Sequence, residues 1–148
     1  MRQHYVSKAM VGGLLGTLLQ TIVVYGMAPI MAGQAMDVTA LLAHACSPAL
    51  LAHILIGSVI FSLGYAWLSS QSLSAPPVMQ GMLWGGLIWL VAEVIIAPML
   101  GAEIFSAARG GLPAAMQALL GYLVYGATLG AIVGTVQLKG RYASVPCK

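Results

Sequence analysis

Four apolar stretches, roughly residues 9–31, 48–68, 78–100 and 113–138, leave this chain few ways to fold. Crossing ~30 Å of hydrocarbon as an α-helix takes about 20 apolar residues, and each stretch meets that length. Inside lipid no water is present to satisfy the backbone, so a helix that bonds its own N–H and C=O groups is the form such stretches take. The 148 residues are 60% hydrophobic and only 6% charged, too polar-poor for a water-soluble domain. Almost no sequence remains outside the four stretches. The expectation is an all-α polytopic membrane protein, with residues 1–148 forming a single four-helix membrane domain. The first stretch exceeds the ~7–15 apolar residues of a signal sequence and reads as a retained helix.

The membrane part is written twice. Moving residues 9–69 along by 69 positions lays them on 78–138 without a gap. Gly12, Leu14, Gly16 and Leu18 then fall on Gly81, Leu83, Gly85 and Leu87. Ala28-Pro29 falls on Ala97-Pro98, Ala49-Leu50-Leu51 on Ala118-Leu119-Leu120, and Gly57 on Gly126. This is the pattern of a duplicated two-helix hairpin, repeat 1 about 9–69 and repeat 2 about 78–138. Each hairpin crosses the membrane twice, so both insert with one orientation. The four helices are therefore expected as two tandem hairpins related by a pseudo-twofold axis along the membrane normal.

The net charge of +3 is not the footprint of a nucleic-acid binder. Arg2, Lys8, Lys139, Arg141 and Lys148 flank the outer ends of the first and last stretches, and only Arg109 lies elsewhere. Lys and Arg collect on cytoplasmic flanks, which predicts cytoplasmic termini. The 33–47 and 101–112 loops then face the other side, and the 69–77 linker is cytoplasmic. Cys46 and Cys147 fall on opposite faces and cannot pair within one chain. Trp67 sits where an aromatic belt is expected.

Lipid tails are as apolar as leucine, so membrane helices associate by close packing, which small residues permit. Gly126, Gly130 and Gly134 recur every four residues on one face of the last helix. Gly12 and Gly16, and Gly81 and Gly85, repeat that spacing. Spacing alone leaves open whether these faces pack within the chain or against another subunit. Pro29 and Pro98 each remove an N–H and crowd the carbonyl four residues earlier, at Tyr25 and Val94. A bend or early exit is expected at these helix ends.

Two ionisable side chains lie well inside the spans, Glu93 in the third and His53 in the second. At ~1.5 Å rise per residue each lies ~9–10 Å from the non-cytoplasmic boundary, which makes them a candidate polar pair. A carboxyl group in hydrocarbon is costly and is usually paired, protonated or functional. Under the repeat, Glu93 corresponds to Val24 and His53 to Tyr122, so the hairpin scaffold requires neither. Three readings are open for the pair: a buried structural hydrogen bond, a contact with a partner subunit or lipid, or a proton, quinone or ion site.

Met27, Met31, Met36, His44, Cys46 and Met99 lie toward one side of the membrane and have the softness that suits Cu(I). They show no tight ligand spacing, and no metal is assigned. One intramembrane histidine is a poor basis for haem, and no cofactor is assigned. HExxH, CxxC, P-loop and nucleophile-elbow motifs are missing, so the isolated chain is not expected to be an enzyme. Glu103 and Arg109 could form a loop ion pair of little energetic weight.

In hydropathy, glycine spacing and the repeated Ala-Pro, residues 9–138 resemble small, largely uncharacterised bacterial inner-membrane proteins built from two tandem two-helix repeats. The resemblance implies a bacterial inner-membrane location and supplies no active site. The leading expectation is a non-catalytic accessory or structural subunit of a larger membrane complex, of the respiratory or other energy-transducing kind. Its partners would be larger membrane-protein subunits and lipids, with no nucleic acid. The alternative is a small homo-oligomeric transporter or channel with Glu93 and His53 in a proton or ion path. Against it stands the shortage of polar lining.

Overall fold

The computed structural model describes residues 2–31, 47–69, 75–99, 104–105 and 111–143. Met36, His44, Cys46, Glu103, Arg109 and Cys147 lie outside the described residues, as does most of each predicted loop. Among the described residues the chain forms four long helical segments. The first is α1 (Arg2–Met31). The second runs through α2 (Pro48–Leu55), a π-helical stretch π1 (Ile56–Phe61) and α3 (Ser62–Ser69). The third runs through α4 (Pro77–Val91), π2 (Ala92–Ile96) and the short α5 (Ala97–Met99). The fourth is α6 (Leu112–Ala143). Within them Tyr5–Gly26, Leu50–Ser69, Pro77–Met99 and Leu112–Thr135 are long and apolar enough to cross a membrane.

The starts of the middle spans follow from local chemistry. Ser47 has extended backbone, and its hydroxyl oxygen accepts the Leu50 N–H at 3.2 Å. Pro48 then opens α2, where a missing N–H costs nothing. Pro77 opens α4 in the same way, after an extended Pro76.

Both middle spans slip out of α register, and each slip has an identifiable partner. In π1 the Gly57 carbonyl accepts the Ser62 hydroxyl at 2.9 Å and the Tyr125 hydroxyl at 2.7 Å. In π2 the Ala97 N–H reaches back five residues to the Ala92 carbonyl. Pro98 follows directly; it has no N–H to offer Val94 and its ring crowds that carbonyl, which favours the wider turn. Pro29 lies in the last turn of α1, which stays α-helical to Met31.

The core of the bundle is α6. Of its span, 39% is buried, against 17% for the third, because α1 and α4 both pack along it. Gly81 and Gly126 meet backbone to backbone: a Cβ on either would overlap the other's carbonyl. A Cβ at Gly85 would likewise overlap the Tyr122 carbonyl, and one at Gly130 the Pro77 carbonyl, while Gly134 faces the Pro77 ring. On an adjacent face of α6, Gly12 meets Leu129 and Ile132, and Gly16 meets Tyr125. Glycine thus lets α4 approach α6 more closely than α1 does. Gly13 and Gly57 give α1 a close approach to π1, where a Cβ at Gly57 would overlap the Thr17 hydroxyl.

Bonds from side chains to backbone carbonyls tie the spans together. Trp84 donates to Phe61 at 3.1 Å and Trp89 to Ala115 at 2.9 Å. Tyr65 donates to Pro77 at 3.1 Å and Gln117 to Val24 at 2.6 Å. In a bilayer such bonds contribute about 0.6 kcal/mol each on average, so close packing carries most of the association. Ala9, Tyr65, Ala66, Ile88, Tyr125, Leu129 and Val133 form the buried core. Ile22, Leu51, Leu55, Ile60 and Leu83 are exposed, an apolar exterior suited to lipid or to another apolar surface.

Candidate functional site

Three spans leave a cavity of about 300 Å³ between them. Its lining comes from Gln20, Thr21, Val24 and Tyr25 of α1, Leu50 and His53 of α2, and Ala118 and Tyr122 of α6. Helical geometry explains the set: residues three or four apart share a face, so each helix presents one stripe to the space. The Gln117 bond to the Val24 carbonyl pins α6 to α1 beside it. Gly121 admits the α1 side chains, since a Cβ there would lie 2.8 Å from Val24 Cγ2 and 3.1 Å from Gln20 Cγ.

The lining is polar at several points, and none of its described residues is Lys, Arg, Asp or Glu. The Thr21 hydroxyl donates to the Thr17 carbonyl at 2.8 Å and keeps its lone pairs. His53 and Tyr25 each take part in further interactions. Gln20 is 6% exposed, and among the described residues none hydrogen-bonds to its side-chain amide. The other lining residues are half-buried, so Gln20 forms the floor of a recess that reaches the surface of the bundle.

Glu93 lies in π2 and is 7% exposed. It takes part in further interactions. Tyr122 lines the recess together with His53. Trp84 and Trp89 face neighbouring spans through their ring N–H groups, while Trp67 is exposed. Among the described residues no three His, Cys, Asp or Glu side chains form a group able to hold a metal.

Gln20 and Tyr122 did not stand out in the sequence, because neither is ionisable near neutral pH. The 69-position offset carries Val24 onto Glu93 and His53 onto Tyr122.

Residues 3–144 match the model of DUF6789, a family of unknown function, and the chain belongs to that family. No curated protein and no solved structure matches the chain.

Proposed function

We propose that this member of DUF6789 is a non-catalytic accessory or structural subunit of a larger complex in the bacterial inner membrane, of a respiratory or other energy-transducing enzyme. Its hairpins lie in tandem about a pseudo-twofold axis along the membrane normal, with both termini cytoplasmic. The observation that supports the role is how the bundle uses its polar groups. Trp84, Trp89, Tyr65, Tyr125 and Gln117 each donate to a carbonyl of a neighbouring span. The outcome is a glycine-locked unit with an apolar exterior, a shape that contributes contact surface to larger subunits. The flanking Lys and Arg support the orientation. Deleting the protein should lower the amount or stability of the host complex and leave turnover per remaining complex nearly unchanged. A fall in turnover per complex at normal abundance would contradict the role.

The buried Glu93 and the His53-lined recess favour a second reading, a small homo-oligomeric transporter or channel. On that reading Glu93→Gln abolishes a flux that the purified protein carries in liposomes. On the subunit reading Glu93→Gln affects stability at most.

A further inference from the structure

We propose that the recess between α1, α2 and α6 binds the neutral, oxygen-bearing head group of a lipid-soluble molecule, with the Gln20 amide as its main hydrogen-bonding partner. Four observations lead there, none of which depends on the accessory-subunit reading.

The first is the amide itself. Gln20 is 94% buried (6% exposed), lines the cavity and is bonded by no other described residue. Its N–H and C=O groups are not sealed off from the recess, so an oxygen of a bound molecule can accept from the amide N–H in a place largely shielded from solvent. Packing against Gly121 holds the side chain in place, so little freedom is lost on binding.

Charge is the second. Among the described residues that line the recess none is Lys, Arg, Asp or Glu. A head group with a fixed charge would be stripped of water without a counter-charge from Lys, Arg, Asp or Glu among these residues, which favours a neutral head over phosphate or carboxylate. Thr21, Tyr25, His53 and Tyr122 instead surround a neutral oxygen-bearing group with further hydrogen-bonding atoms.

Size is the third. About 300 Å³ is at the lower end of the range for small-molecule pockets, enough for one ring or a glycerol unit but not a whole lipid. The fourth is the route out. Val24, Leu50 and Ala118 are apolar, and every lining residue except Gln20 is half-buried. An apolar tail can therefore leave the recess toward the hydrocarbon.

Two sources share this chemistry, an isoprenoid quinone and a diacylglycerol. The full-length protein in phosphatidylcholine nanodiscs is titrated separately with decylubiquinone and dioctanoylglycerol. Melting temperature is followed for both, and tryptophan quenching for the quinone. Saturable binding of either one supports the site and identifies its source. Gln20→Leu should raise that Kd about tenfold, equivalent to ~1.4 kcal/mol. Ala118→Trp should abolish binding by filling the space. Leu83→Ala, on an exposed position, should bind as the parent does. Ligand-free melting of Gln20→Leu close to the parent's separates lost binding from lost fold. The proposal is overturned if neither compound binds the parent saturably, or if a folded Gln20→Leu protein binds as tightly as the parent.

Discussion

The first and third spans begin from nearly the same glycine pattern and are used differently. Gly12 and Gly16 correspond to Gly81 and Gly85 by sequence, and all four face α6. Gly81 and Gly85 press against α6 backbone. Gly12 meets a side chain instead: its Cβ would lie 3.2 Å from Leu129 Cδ1. Further along, the first span holds Gln20 and Thr21 where the third holds Trp89 and Leu90. The Trp89 ring reaches across to the Ala115 carbonyl, while Gln20 and Thr21 line an open recess. Pro29 and Pro98 also correspond, yet only the third span widens into a π turn before its proline. A small residue or a proline therefore permits a geometry, and the neighbour decides whether it is used.

The contrast is sharpest at Gly81 and Gly12. Gly81→Ala should cost at least ~3 kcal/mol or prevent folding, because its Cβ overlaps the Gly126 carbonyl and neither backbone can yield alone. Gly12→Ala should stay within about 1 kcal/mol, since the Leu129 methyl can move and alanine favours the helix. Reversible unfolding in mixed micelles measures both. Equal losses would mean that α1 and α4 approach α6 equally closely.

An intermediate effect is expected where the first span has Val24 and the third Glu93. Glu93→Val should destabilise by ~1–3 kcal/mol, the range for stranding buried polar partners. Glu93→Gln should cost less, because an amide keeps hydrogen-bonding atoms at that place. A silent Glu93→Val would show that the carboxyl group has no structural part.

The smallest effect concerns Thr17 and its counterpart Gly86. Thr17 is fully buried against Gly57, whereas a Cβ at Gly86 meets nothing within 4 Å. Gly86→Ala should therefore be neutral or stabilise by up to ~1 kcal/mol through helix propensity. Thr17→Ala should destabilise measurably. If Gly86→Ala is the more harmful, another surface covers Gly86 in the native assembly, and the boundary of the bundle must be redrawn.

Length and hydropathy made the four spans legible, because a run of about 20 apolar residues has few other destinations. The glycine faces were legible as faces, but not their partners: spacing marks Gly81 and Gly126 equally well for contact within or between chains. The π segments were not legible. Pro98 announced a disturbance, yet the same signal at Pro29 gives an unbroken α-helix. In π1 the slip is met by bonds from Ser62 and from Tyr125, the latter 68 positions away from Gly57, and no local window contains such a bond. Glu93 and His53 drew notice through their charge. Gln20 did not, because a glutamine on an apolar helix becomes informative only once its burial and its place in the lining of the recess are known.

The central claim, membership of a larger assembly, is tested most directly by mild-detergent solubilisation followed by native mass measurement. The 15.3 kDa chain is expected in a particle many times its own mass, at fixed stoichiometry with the same larger membrane subunits in repeated preparations. Recovery as a monomer, or as a homo-oligomer that moves protons or ions in liposomes unaided, would contradict the account.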